Sequence, residues 1–204
     1  MTPHSRGALL ATLALACSPR TAGWSEVRPP EAYLETLPAG ALLQVNGEVV
    51  GKTPLTFAVR DASAPYRLRA AAPGFETLEV TVDGERLANG RLDLVLRPDG
   101  FGSQRRLDLA DPIGLTQAAA HLARARRPRE ALAFVEAALA VGETAVAHRV
   151  AGEAYQQLGD RNRAVQEFSV YLTMQPDAPD REVVEKAIEG ARGDLTIPPL
   201  VKDQ

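Results

Sequence analysis

The sequence predicts an α+β protein in separate domains, a small all-β sandwich followed by an all-α helical array. Three observations carry that reading. Apolar residues recur at every second position in runs between Ala41 and Leu96, the spacing of strands with one buried and one wet face. From Leu115 the spacing changes to i, i+3, i+4, i+7, which is that of an amphipathic helix. The helical register then repeats at about 33 residues, as in stacked helical hairpins.

At the start of the chain, Arg6 precedes the uncharged run Gly7–Ala16, and Cys17, the single cysteine, follows directly. A positive head, about ten apolar residues and small residues at a cleavage point describe an export signal. The run is shorter than the roughly 20 apolar residues that span a bilayer. Leu13-Ala14-Leu15-Ala16-Cys17 resembles the lipobox of bacterial lipoproteins. The resemblance implies that residues 1–16 are a signal peptide and that Cys17 is acylated and begins the mature chain. Ser18, where such families use Asp for inner-membrane retention, points to the outer membrane rather than the inner one. An ordinary secretory signal and an apolar cytosolic start are the alternatives.

Residues 17–32 read as a tether, with Pro19, Gly23, Pro29 and Pro30 and no sustained periodicity. Proline lacks the backbone donor and biases its predecessor away from helix. Beyond Cys17, the fifteen residues 18–32 reach at most about 50 Å. The strands expected next are Ala41–Val45, Glu48–Val50, Leu55–Val59, Tyr66–Ala70, Leu78–Val82 and Leu92–Leu96. Asn46-Gly47 supplies the positive-φ turn of a hairpin. Gly74, Gly84 and Asn89-Gly90 separate the later strands. Five or six short antiparallel strands at this spacing predict a sandwich over residues 33–98.

Pro38-Ala39-Gly40-Ala41, Val45-Asn46-Gly47, Gly51-Lys52-Thr53-Pro54-Leu55 and Pro73-Gly74-Phe75 occur in the order and setting that resemble the PEGA domain, with Ala39 replacing the Glu of its name. The resemblance implies a β-sandwich module of bacterial and archaeal surface proteins without catalytic activity.

Residues 99–111 read as a linker, with a strand at Arg105–Leu109. Leu115, Ala118, Ala119 and Leu122 define a first helix; Ala131, Phe134, Val135 and Ala138 define a second that opens at Pro128. A third runs Thr144–Leu158 and stops at Gly159; a fourth follows Asp160 to about Thr173; a fifth lies between Asp180 and Gly193. Ala151-Gly152, Tyr155, Gly159, Ala164, Phe168 and Pro176 resemble a tetratricopeptide repeat (TPR), and Pro112–Glu143 resembles a weaker unit in which Arg126 stands where glycine is usual. TPR-like repeats with a capping helix thus cover residues 112–193, and residues 194–204 read as a disordered tail.

The chain has 204 residues, formal charge -3 and aromatic content of 5%. No basic field exists to collect nucleic acid. One cysteine permits no internal disulfide framework. His4 falls in the signal, and His121 and His148 lie on helices with no acid or nucleophile at a suggestive spacing. Neither a metal-ligand cluster nor a phosphate loop is present in the sequence, so no metal, cofactor or catalytic residue is assigned. The expectation is a protein that is not an enzyme.

Repeats of this type commonly bind a peptide across the first helix of each pair. Arg149, Glu153 and Gln156 share one face by the i, i+4, i+7 rule, and Gln117 and Arg124 fall on the matching face of the earlier unit. These five are the candidate partner-binding residues. The cluster Arg124-Ala125-Arg126-Arg127-Pro128-Arg129 either complements a helix C-terminus and is solvated, or forms an anion site for an acidic tail or lipid headgroups. The functional expectation is a lipid-anchored cell-envelope adaptor or scaffold, held at the membrane through Cys17 and taking another envelope protein or peptide on the TPR-like face. The alternative is a cell-wall or glycan-binding module acting through the sandwich, with peptidoglycan as ligand.

Overall fold

The computed structural model describes residues 28–102 and 106–193. The signal, Cys17, most of the tether and the tail 194–204 lie outside the described residues. The expected α+β organisation holds: β-strands occupy the first part and helices the second.

Among the described residues seven strands form two sheets: β1 (Glu31–Leu37), β2 (Leu42–Val45), β3 (Glu48–Lys52), β4 (Leu55–Ala58), β5 (Pro65–Ala71), β6 (Leu78–Asp83) and β7 (Arg91–Val95). The strand orders are β4-β1-β7 and β3-β2-β5-β6. Alternation sets the faces: Tyr66, Leu68 and Ala70 of β5 are buried while Arg67 and Arg69 between them are exposed. The sandwich departs from the expectation in three ways. Glu31 and Ala32, assigned to the tether, open β1, which is the centre of its sheet and fully buries Ala32 and Leu34. Not every pair is antiparallel, because β1 runs parallel to β7, from Tyr33 opposite Arg91 to Leu37 opposite Val95. A helical turn, α1 (Gly84–Ala88), stands where a plain turn was expected and buries Leu87. The strand expected at Arg105–Leu109 is missing from its described part, residues 106–109, although Leu107 is buried.

Among the described residues five helices follow: α2 (Pro112–Arg124), α3 (Pro128–Val141), α4 (Ala145–Leu158), α5 (Arg161–Met174) and α6 (Arg181–Gly193). Their starts have local causes. Asp111 accepts from the Gly114 amide at 3.0 Å with Pro112 opening α2, Thr144 caps α4, and Asp160 accepts from the Arg163 amide at 3.1 Å. Gly159 closes α4 at φ 77°. Where α4 meets α5, a Cβ on Gly152 would stand 2.5 Å from the Phe168 ring, so glycine sets the approach of the two helices.

The two parts share one core. Buried residues run continuously from Ala32 and Leu34 in the sandwich to Leu115, Phe134 and Val150 in the helices. At the junction the Phe75 ring stacks on Phe134 with centroids 6.1 Å apart. The Arg127 guanidinium lies 4.6 Å from the Phe75 centroid and donates to the Gly74 and Pro73 carbonyls at 2.7 and 2.9 Å. Pro73-Gly74-Phe75 is thus a plug seated in the α2–α3 hairpin, and Arg127 is held there rather than simply solvated. His121 faces the Asp99 carbonyl at 3.0 Å on the same seam. A second, smaller cluster around Phe168, Tyr171, Val184 and Ile188 attaches α6 to α5.

Candidate functional site

Three of the five candidate residues come together. Arg124, at the end of α2, and Glu153 and Gln156, on α4, line one open cleft of about 490 Å³ with Ala123, Arg126 and Gln157. Helix α4 packs beside α2, and the Gln157 Nε2 donates to the Ala123 carbonyl at 3.0 Å, pinning the two helices at the cleft floor. The Gln157 Oε1 is buried and has no partner, the one such side-chain atom among the described residues.

The cations of the cleft are unneutralised. Arg124 Nε donates to the Ala120 carbonyl at 3.2 Å, in the last turn of its own helix, and pairs with no carboxylate among the described residues. Arg126 is exposed, sits at φ 59°, and its guanidinium has no hydrogen-bond or ion-pair partner among the described residues. Glu153 is neutralised on its far side by Arg149 Nη1 at 2.7 Å.

Arg149 and Gln117 do not line the cleft. Arg149 pairs with Asp180, the residue before α6, as well as with Glu153. Asp180 also accepts from the Tyr171 hydroxyl at 2.5 Å. The Tyr171 hydrogen bond, aided by Arg149, holds the Asp180 carboxyl below the ordinary carboxylate range. This network ties α4, α5 and the approach to α6 together, so Arg149 holds the fold. Gln117 is exposed two turns before Arg124 on α2. Cys17 lies outside the described residues. Sequence reasoning passed over Gln157, which no local pattern separates from its neighbour Gln156. Arg126 did carry a signal, as an arginine at a usual glycine position.

His148 is buried with Nδ1 2.7 Å from Glu167 and Nε2 3.1 Å from Glu143. The acids that meet it come from α5 and the α3–α4 connection, and the three hold those elements in place. No group of three His, Cys, Asp or Glu able to hold a metal occurs among the described residues. No described helix is long and apolar enough to cross a membrane.

A second cleft, of about 560 Å³, opens on the sandwich between the edge strands β3 and β4. Phe57 and Tyr66, in edge-to-face contact at 5.8 Å, line it with Glu48, Thr56 and Arg60.

No curated protein and no solved structure matches the chain. Residues 30–99 match the PEGA family, and this part of the chain is a PEGA domain.

Proposed function

We propose that the protein is a lipid-anchored envelope adaptor that holds a protein partner in the cleft between α2 and α4 and performs no catalysis. The PEGA domain supports an envelope or periplasmic module. The lipobox-like stretch ending at Cys17 supplies the address, and TPR-like pairing of α2 with α3 and of α4 with α5 supplies the recognition surface. The observation that carries the reading is the convergence of Arg124, Arg126, Gln156 and Gln157 in one open cleft, with both guanidiniums left without a carboxylate among the described residues. A photo-crosslinking amino acid at Gln156 in cells is expected to trap a discrete protein. The same group at exposed Glu136, on α3, serves as control. Equal or absent adducts at the two positions would sink the reading.

The cleft between β3 and β4 favours a second reading, a glycan-binding sandwich, because aromatic edges beside free polar groups suit a sugar's apolar and hydroxyl faces. Co-sedimentation of the full chain with peptidoglycan, lost on Phe57→Ala, would support it. A protein that stays in the supernatant would remove it.

A further inference from the structure

We propose that the cleft between β3 and β4 receives the chain's own tether, with the Trp24 indole against Phe57 and Tyr66 and the Glu26 carboxylate on Arg60. A sugar in that cleft would have to displace it.

The first support is the open side of the sandwich. On the other side α1 links β6 to β7 and buries Leu87, so the chain itself closes that side. Between the edge strands β3 and β4 no described residue does the same. A cleft of about 560 Å³ stands there, with Val50 36% exposed and Phe57 half-buried on its walls. Phe57 and Tyr66 meet edge to face, and a third aromatic ring extends such packing while covering apolar wall.

The second support is independent and comes from where the chain enters. The Val59 amide donates to the Pro30 carbonyl at 2.8 Å, which fixes Pro30 beside Ala58 and Arg60 on the cleft wall. Trp24 lies six residues earlier, so at most about 20 Å of chain separates it from that wall. It is the only Phe, Trp or Tyr before Tyr33.

Charge sets the register. The Arg60 guanidinium is exposed and has no hydrogen-bond or ion-pair partner among the described residues. Glu26 stands two positions after Trp24, and in an extended segment positions two apart point to one side. Docking also changes the reach of the tether. From Cys17 to a docked Trp24 the chain spans at most about 25 Å, against about 50 Å when the whole tether is free. With Cys17 in a bilayer, the strap thus sets how far the sandwich stands from the membrane.

The test places a benzophenone amino acid at position 24 of the full chain in cells and maps its adducts by peptide mass spectrometry. An adduct within the same chain, on the segment 45–66, is expected. Val50→Glu puts a charge on the apolar wall and should lower its yield about ten-fold. Arg60→Glu should lower it about three-fold, and Glu26→Arg added to that variant should restore it. Arg60 is exposed, so the melting temperature of Arg60→Glu should stay within about 2 °C and exclude misfolding as the cause. Adducts only to lipid, to another protein or to the helices, or no adduct, overturn the inference. A cleft adduct that both variants leave at full yield, or a loss in Arg60→Glu that Glu26→Arg does not restore, overturns it too. None of these outcomes bears on the cleft between α2 and α4.

Discussion

Truncating Phe134 to alanine tests whether the sandwich and the helices unfold as one unit. Phe134 is fully buried and its ring stacks on Phe75 from the opposite part of the chain. Loss of such a ring costs about 4 kcal/mol, transfer and cavity together, a large share of the roughly 5–15 kcal/mol that stabilises a domain. Phe75, 6% exposed and capped by Arg127, should cost about 3 kcal/mol on truncation. The two rings touch, so the double variant should lose about 1 kcal/mol less than the two losses together. Urea unfolding followed by circular dichroism reads the helices, and hydrogen exchange read peptide by peptide follows the strands. With a urea dependence of about 2 kcal/mol per molar, Phe134→Ala should lower the midpoint by about 2 M in both signals. The decisive variant is Phe75→Ala, a change in the sandwich that must weaken the helices. A helical transition that stays in place while the strands alone open earlier would refute the shared core.

Other outcomes follow from the same contacts. Cys17→Ser should move the protein from the membrane to the soluble fraction, since stable attachment needs more than one acyl chain on that residue; unchanged fractionation removes the anchor. Gly152→Ala gains about 1 kcal/mol in helix propensity but drives a Cβ to 2.5 Å from the buried Phe168 ring, an overpacking of about 1–3 kcal/mol. The melting temperature should therefore fall, and a rise would show that the helices can part freely. Asp180→Asn should cost about 1 kcal/mol at neutral pH, a charged hydrogen bond discounted for partial exposure. Because folding lowers the Asp180 pKa, that contribution is present above the unfolded value of about 3.9 and is lost as pH falls through the lower folded value. Stability curves of the two proteins should converge in acid; a constant gap down to about pH 2 would refute the assignment.

Much of the fold was legible because it is local. Tyr66, Leu68 and Ala70 alternate with arginines, and their burial follows directly. Asp111 with Pro112, Thr144, and Gly159 with Asp160 announce helix ends by capping chemistry that acts within three residues. What escaped was decided at long range. β1 has prolines beside both ends, and apolar Tyr33 and Leu37 on its outer face with polar Thr36 on its buried one obscure the alternation of Glu31, Ala32, Leu34 and Glu35. Its parallel partner β7 lies more than fifty residues on, and no local spacing encodes that choice. Pro73-Gly74-Phe75 was visible as a turn, but its role as a plug depends on Arg127 and Phe134, which belong to the other part.

The candidate site divides in the same way. Helical spacing puts Glu153 and Gln156 on one face of α4, and both line one cleft with Arg124 from the neighbouring hairpin. Spacing could not show that Arg149, on the same face, is captured by Asp180 from beyond α5. Nor could it show the unpaired Gln157 Oε1, because satisfaction of a buried amide is a property of the packed helices.

The most direct measurement is the yield of the Gln156 photo-adduct in a chain that also carries Arg126→Gly. A protein partner seated between α2 and α4 and gripped by the turn predicts a fall of about ten-fold with the same adduct partner, at unchanged protein abundance. An undiminished adduct would contradict the claim that this cleft is where the partner is held.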